Sequence, residues 1–336
     1  MSWYNTKGRD DDVVISTRIR FARNLSGFPF PSKLDEPGAR ALIERVSGVF
    51  GEGWTVVDMT NLSRFEAASL AEKHFISPDF VSGSLPRRLI YSEVRGIYIM
   101  VCEEDHLRMQ CILPGMALNE AYERLCGADD AANNALDIAY DAELGFLTSC
   151  PTNLGIAMRA SVMLFLPALT RTRRLNSLFP QLSKIGLTIR GLYGEGSDFD
   201  GCLYQLSNQV TLGISEEDSI RKLNEVVRKI IESERAARNA LYSDNPDAMT
   251  DRCRRAYGTL RYASLMSSGE FMKLYADIRL GISLGLIPEL TLEALGGLMT
   301  DIQPATLSVN AGCEIGEHER DRRRAEYIRE TLSATA

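Results

Sequence analysis

Thr148-Ser149-Cys150-Pro151-Thr152-Asn153-Leu154-Gly155 sets a cysteine on a turn bounded by proline and glycine, and the apolar run Val162 to Leu166 follows it. A turn feeding an apolar run predicts a strand with Cys150 at its mouth rather than inside it. Arg159, four residues beyond the turn, adds a planar guanidinium fork suited to phosphate. A cysteine before a strand, taken alone, reads as a small core residue. The segments around this one point elsewhere.

Outward from this turn, strand-like segments dominate between residues 55 and 215. They are Trp54 to Met59, Arg88 to Ser92, Ile97 to Cys102, Ala160 to Leu166, Leu187 to Tyr193 and Tyr204 to Leu212. A helix is predicted from Asp35 to Phe50, with Asp35 as its cap, Pro37 in its first turn and Leu42, Ile43, Val46, Val49 and Phe50 on one face. A second helix pattern runs from Leu118 to Tyr140, interrupted near Gly127. Strands and helices do not alternate strictly, which favours an α+β fold over a doubly wound sheet. At Ser215-Glu216-Glu217-Asp218 a capping-box pattern opens a change of texture. Ile220, Leu223, Val226, Val227, Ile230 and Ile231 then keep helical spacing, and helical patterns prevail to the end, broken at Pro246, Pro288 and Pro304. The expected domains are residues 13–243 and a helical C-terminal domain at 244–336.

The 336 residues are 45% hydrophobic and 25% charged, which is ordinary globular material for two domains. A net charge of -7 argues against a nucleic-acid partner. Seven singly spaced cysteines with no CxxC, and only three histidines, argue for a reducing compartment and against a zinc site. The N-terminal residues lack an apolar signal region, and the apolar stretch near Val162 to Leu169 is broken by Pro167. The expectation is a cytoplasmic protein with no membrane partner and no resident metal.

Three further segments carry chemistry. In Val14-Ile15-Ser16-Thr17-Arg18-Ile19-Arg20-Phe21-Ala22-Arg23-Asn24, an extended chain puts Arg18 and Arg20 on one face, where two guanidinium forks can grip a polyphosphate. The competing reading is a solvated edge strand. Ile97 to Cys102 runs into Glu103-Glu104-Asp105-His106-Leu107-Arg108. Such a carboxylate cluster faces water or binds a cation, a guanidinium or Mg²⁺ among them, and a carboxylate there can accept a proton. Arg190-Gly191-Leu192-Tyr193-Gly194-Glu195-Gly196-Ser197 is a strand end followed by a glycine-rich loop, suited to close over a substrate. It is not a Walker A sequence, and a lone Gly-x-Gly is most often a plain turn. Together these segments bring Arg18, Arg20, Arg108, Arg159 and Arg190 to a coherent inventory for phosphoryl transfer, which depends on positive charge and positioning.

These motifs resemble, over nearly the whole chain, the guanidino (phosphagen) kinase superfamily. The resemblance implies an antiparallel sheet flanked by helices, with ATP and Mg²⁺ as cofactors. It implies that Cys150 lies beside the guanidinium, that Glu104 and Glu195 clamp it, and that Glu104 is the base. It places nucleotide contacts at Ser16, Thr17, Arg18, Ile19 and Arg20, at Arg108, at Arg159, Ala160, Ser161, Val162 and Met163, and at Arg190, Gly191, Leu192, Tyr193, Gly194 and Glu195. The family pattern before the carboxylates is Asn-Glu-Glu-Asp-His, and Cys102 stands where the family has Asn. His74 matches a family histidine near the nucleotide, and reads equally as a structural histidine.

Within the superfamily the chain is most similar to the bacterial protein-arginine kinases. Few residues precede the Arg18 motif, leaving no room for the small helical domain of creatine and arginine kinases. The tail Glu319-Arg320-Asp321-Arg322-Arg323-Arg324-Ala325 resembles the Arg-Asp-x-x-Arg-Ala motif of that branch's phosphoarginine pocket. Arg320 and Arg324, four apart on one helix face, would clamp one phosphate as an allosteric site, with Asp321 pairing a guanidinium and Ala325 closing the motif. A charged, solvated terminal helix is the plainer reading. The resemblance implies phosphorylation of arginine side chains in proteins, marking them for Clp degradation in the stress response. Its usual partners are a zinc-binding activator protein, a heat-shock repressor and a Clp unfoldase, and it is compatible with a homodimer. A kinase of free arginine or another small guanidino compound, and a silent phosphoarginine-binding adaptor, stay open.

Overall fold

The computed structural model describes residues 2–191 and 200–335. Strand β1 (Val14–Arg23) leads to α1 (Glu36–Ser47), β2 (Thr55–Asp58), α2 (Arg64–Glu72) and α3 (Pro78–Ser82). Then come β3 (Arg88–Ser92), β4 (Ile97–Val101), β5 (Leu107–Pro114), α4 (Leu118–Ala135) and the short pair β6 (Tyr140–Asp141) and β7 (Gly145–Phe146). Next are β8 (Met158–Phe165), α5 (Pro167–Arg171), α6 (Leu175–Lys184), β9 (Leu187–Gly191) and β10 (Leu203–Asn208). Helices α7 (Glu216–Asp244), α8 (Pro246–Tyr262), α9 (Ser268–Ser283), α10 (Leu292–Asp301), α11 (Pro304–Ala311) and α12 (Glu317–Thr335) complete the described chain.

Among the described residues one eight-stranded sheet runs in the order β2-β3-β4-β5-β1-β8-β10-β9, and every pairing in it is antiparallel. The α+β class read from the sequence is the class observed. Strand alternation gives the sheet two apolar faces. Ile19, Phe21, Met109, Cys111, Ala160, Val162 and Leu206 pack on one side with α1, α4 and α7. Tyr98, Met100, Ile112 and Met163 pack on the other with α2, α3 and the C-terminal helices. Both faces are covered, so the central strands read as near-continuous apolar runs.

Local signals explain the element ends. Asp35 caps α1 by accepting the Gly38 N–H at 2.9 Å. Ser215 caps α7 through the Asp218 N–H at 3.1 Å, but the Asp218 carboxylate pairs with Arg221 instead of closing the expected box. Pro246 and Pro304 are helix starts as much as breaks, each at the first position of its helix, where the missing N–H costs nothing. The helix predicted to run to Tyr140 ends at Ala135 and passes through Gly127 without interruption. Burial of Glu234 is compensated locally: its carboxylate accepts the N–H groups of Ala168 and Leu169 at the start of α5 and the Arg238 guanidinium. Arg238 continues to the Phe165 carbonyl, fastening α7 to the end of β8.

Candidate active site

Register decides which side chains meet. Arg20 lies opposite Arg159 on β8 and Gln110 on β5, and Arg18 lies opposite Ser161 and Ile112. Arg108 shares the face of Gln110, and Arg190 on β9 sits opposite Gln205, on the face of Ser207 and Ser161. Side chains directly opposite in an antiparallel pair share a face. Arg18, Arg20, Arg108, Arg159 and Arg190 therefore all project from one side of the sheet, on four strands. Ser16, Ser161 and Met163 share that side; Gly191, opposite Tyr204 on β10, does not. Thr17, Ile19, Ala160 and Val162 do not. Their side chains face the opposite core, and Thr17 Oγ1 donates to the Gly115 carbonyl at 2.7 Å. As side-chain contacts to a nucleotide these four are corrected by the strand period.

The clustered charges repel. Burial and Arg108 hold the Arg18 guanidinium down to about 10, and burial with Arg18, Arg108 and Arg159 lowers Arg20 well below its usual value. Arg159 is lowered by burial, Arg190 and Arg108. Its Nη2 donates to Ser207 Oγ at 3.2 Å. The buried Nε atoms of Arg20 and Arg159 have no hydrogen-bond partner among the described residues. Buried donors left open beside like charges call for an anion, and the phosphate chain of ATP fits that need. His74, at φ 60°, is held down to about 3 by burial and Arg18, so it stays neutral beside the arginines. Its carbonyl accepts from Gln110 Nε2 at 2.9 Å.

The three carboxylates after β4 take three different roles. Glu103 is fully engaged: it accepts Arg108 Nη1 at 2.6 and 2.7 Å, Ser77 Oγ at 2.6 Å and the Glu104 N–H at 2.7 Å. Burial raises its proton affinity, but Arg108 and these hydrogen bonds outweigh it and hold the group low. The same pair lifts Arg108 above its usual value despite burial. Asp105 is buried, its Oδ1 accepting Asn24 Nδ2 at 2.6 Å and the Ser149 N–H at 2.7 Å. Glu104 is exposed, and its carboxylate has no hydrogen-bond partner among the described residues. Burial, Asp105, Glu103 and Asp79 raise its proton affinity, against Arg108. A cleft of about 470 Å³, lined by Glu104, Arg108, Asp79 and Arg87, opens beside it. A larger cleft of about 810 Å³, lined by Lys7, Arg9, Glu93 and Arg235, holds none of the candidate residues.

Cys102, where the family has Asn, lies at φ 65° in the left-handed region, with its N–H on the His106 carbonyl at 3.0 Å. Asn tolerates that conformation better than most residues, which gives the family preference a backbone reason. Burial pushes the Cys102 thiol up to about 12.

Cys150 is partly exposed at the start of a single 3-10 turn, Pro151–Asn153, with Sγ 3.1 Å from Thr152 Oγ1. Its carbonyl accepts Thr148 Oγ1 at 2.9 Å and the Asn153 N–H at 3.0 Å. The loop is pinned further along at Gly155, φ 95°, where an added Cβ would lie 2.1 Å from the Thr211 carbonyl oxygen. Leu192, Tyr193, Gly194 and Glu195 lie outside the described residues. Among the described residues no group of three or more His, Cys, Asp and Glu is placed to hold a metal ion, and no helix is long and apolar enough to cross a membrane.

In the tail, Arg320 and Arg324 share α12 but not an environment. Arg324 is 1% exposed and donates to Asp321 at 2.6 Å, to the Met266 carbonyl at 2.7 Å and to the Ile302 carbonyl at 3.0 Å. Burial lowers its pKa, against the pull of Asp321. The expectation of two arginines open to one phosphate is therefore corrected: Arg324 is committed to the protein, and Ala325 beside it is buried in the core. Arg320 is partly exposed, and among the described residues it donates to the Ile315 carbonyl at 3.4 Å. The sequence reading passed over Asn24, Ser77, Gln110 and Ser149, which position the others. Plain polar residues scattered over distant segments carry no periodic signal.

Comparisons with known proteins show the family. Residues 42–237 match a family described as ATP:guanido phosphotransferase, C-terminal catalytic domain, and residues 246–336 match one described as Protein-arginine kinase McsB C-terminal domain. A protein-arginine kinase of Desulforamulus reducens is 43% identical over 340 residues, covering 99% of this chain and 95% of its own. One of Bacillus subtilis is 40% identical over 338 residues, covering 98% and 93%. Among solved structures, the duplicated taurocyamine kinase of Schistosoma mansoni with bound transition-state-analogue components is 28% identical, with a TM-score of 0.60, over 70% of this chain and 35% of that one. A lombricine kinase shares the fold at 24% identity and a TM-score of 0.58, over 68% of each chain.

Proposed function

Since this chain belongs to the ATP:guanido phosphotransferase family and, along its length, to the protein-arginine kinases within it, we propose that it transfers the γ-phosphoryl group of ATP to arginine side chains of proteins. The observation that carries the reading is the division of the three carboxylates. Glu103 is tied to Arg108 and Asp105 is buried, which leaves Glu104 exposed at the edge of the arginine face.

Arg18, Arg20, Arg108, Arg159 and Arg190 would hold the phosphates, five fixed positive charges that need no reorganisation as charge moves through the transition state. Mg²⁺ accompanies the nucleotide and neutralises part of its charge when bound. The target guanidinium is cationic and a poor nucleophile. Glu104 holds it and takes a proton from Nη as the Nη–P bond forms and the bond from γ-phosphorus to the bridging oxygen breaks, with ADP leaving. The raised proton affinity of Glu104 suits a base. Cys150 lies at the other side of the guanidinium and steers it electrostatically, without covalent attack. Glu195 is the second clamp in this reading. The zinc-binding activator, the heat-shock repressor and the Clp unfoldase belong to it as partners.

The test is mass spectrometry at neutral pH of an unfolded model protein incubated with the chain and Mg·ATP. Phosphoarginine on the protein is the expected product. Phosphorylation of free arginine alone would replace this reading with a small-molecule kinase, and binding of phosphoarginine without ATP turnover would replace it with an adaptor.

A further inference from the structure

Asp105 and Asn24 form a buried junction between three segments that are far apart in sequence. Asp105 is 1% exposed, and so is Asn24. Asp105 Oδ1 takes the Asn24 Nδ2 donor at 2.6 Å and the Ser149 N–H at 2.7 Å. Asn24 also donates to the Leu147 carbonyl at 2.9 Å, and its Oδ1 accepts the His106 N–H at 2.9 Å. His106 is locked in turn: Nδ1 accepts the Leu25 N–H at 3.0 Å, which leaves Nε2–H to donate to the Pro29 carbonyl at 2.9 Å. One oxygen atom thus joins the turn that carries Glu104 to the residue preceding Cys150, and one amide braces both against the end of β1.

We propose that Asp105 is a positioning residue for phosphoryl transfer: its buried carboxylate bolts the Glu104 turn to the Cys150 loop and sets a fixed negative charge behind Glu104. The inference rests on the kinase reading above, in which Glu104 and Cys150 meet the same guanidinium from two sides. Two groups on separate loops hold a near-attack geometry only if something rigid spans them, and small misplacements are costly. The charge has its own effect. Glu104 faces Asp105 and Glu103 on its own turn, Arg108 on β5, Asp79 on α3 and Arg87 across the cleft. Of these, Asp105 and Glu103 hold the proton affinity of Glu104 up from within the turn, and Glu103 is already neutralised by Arg108.

The two roles separate by substitution. Asp105→Asn keeps an acceptor oxygen for Asn24 and Ser149 and removes the charge. Asn24→Ala keeps the charge and the Asp105–Ser149 bond but removes the amide that braces both segments. Asp105→Ala removes the charge and the bonds to Asn24 and Ser149. With unfolded model protein and Mg·ATP, Asp105→Asn is expected to move the acidic limb of the kcat/KM profile to lower pH, because a less basic Glu104 stays deprotonated further into acid. Asn24→Ala leaves that limb in place. Both Asn24→Ala and Asp105→Ala lower kcat by about 100-fold while ATP affinity by calorimetry stays within about twofold, as expected for lost alignment in a folded protein. An unmoved limb in Asp105→Asn overturns the charge role. A kcat close to wild type in Asp105→Ala, or a parallel loss of ATP affinity, overturns the positioning role. The alkylation rate of Cys150, followed by mass spectrometry, reads the junction without catalysis: it rises in Asn24→Ala and Asp105→Ala if the loop is released, and rates equal to wild type overturn the junction. Absence of phosphoarginine with the wild-type chain would instead overturn the kinase reading, and the alkylation rates would still decide this one.

Discussion

Glu72, the last residue of α2, caps α11 from a distant part of the chain: its carboxylate accepts the Thr306 N–H at 2.7 Å and the Thr306 hydroxyl at 2.8 Å. The Ala305 N–H completes the set at 2.8 Å, and Ser69 Oγ lies 2.9 Å from the Thr306 hydroxyl. A carboxylate at the N-terminus of α11 satisfies orphan donors and meets the positive end of the helix dipole. His74 is two residues further along the chain, so this cap joins the C-terminal helices to the edge of the arginine face. Glu72→Ala is expected to destabilise the protein by about 1–3 kcal/mol, the range for losing a charged cap. Urea unfolding of mutant and wild type measures it, and an unchanged midpoint would show that α11 docks without the cap.

The arginine face predicts opposite effects on stability and binding. Arg20 is crowded by Arg18, Arg108 and Arg159, and burial adds to the strain. Arg20→Met keeps much of the apolar stem and removes one charge from the cluster. The mutant without nucleotide should unfold at a higher temperature than wild type, while its ATP affinity falls by about 1.5–3 kcal/mol, the loss expected for one charge-assisted contact. Calorimetry and thermal melts together check the pair. ATP affinity equal to wild type would remove Arg20 from the phosphate site.

Glu104→Gln should abolish phosphoryl transfer and leave ATP affinity intact, because Arg108 is held by Glu103 and not by Glu104. Loss of a general base costs about 100-fold or more. In the wild type the acidic limb of the rate profile should lie above that of an ordinary glutamate, since Glu104 is raised. Full activity in Glu104→Gln would return the role of base to another group.

Much of this was legible in sequence where a residue's role is local. The alternation Arg18-Ile19-Arg20 put two guanidinium groups on one face before any partner strand was known, and Asp35 marked the start of α1. What register adds was not legible. Nothing in sequence places Arg159 opposite Arg20, and the strand Leu107–Pro114 hides behind the charged turn that opens it. Motif continuity does not tell facing either: Thr17, Ile19, Ala160 and Val162 sit within matching stretches, yet their side chains face the other core. Which of three adjacent carboxylates is available was settled by partners from distant segments, Ser77 for Glu103 and Asn24 with Ser149 for Asp105.

His74 should make the fold acid-sensitive. Its native pKa of about 3 lies below the usual histidine value, so the unfolded chain binds the proton first. Stability from this group is full above the unfolded value and is lost as pH falls below it, by up to about 1.4 kcal/mol per pH unit. His74→Gln should flatten the stability profile between neutral pH and pH of about 5. Profiles of equal slope would mean that the native state accommodates the protonated ring.

The tail arginines should part company. Arg324 bonds two carbonyls and Asp321 from a buried position, so Arg324→Ala leaves the Met266 and Ile302 carbonyls and the Asp321 carboxylate without their donor. The expected cost is about 3 kcal/mol or more. Arg320 has one long hydrogen bond among the described residues and should tolerate alanine within about 0.5 kcal/mol. If this end of α12 senses phosphoarginine, Arg320→Ala should lose binding of the free amino acid while its urea midpoint and ATP affinity match wild type. A loss of phosphoarginine binding in Arg324→Ala alone would then reflect a loosened C-terminal core and not a missing ligand contact. Equal binding in Arg320→Ala and wild type would make the exposed end of α12 a solvated helix, with Arg324 as its structural pin.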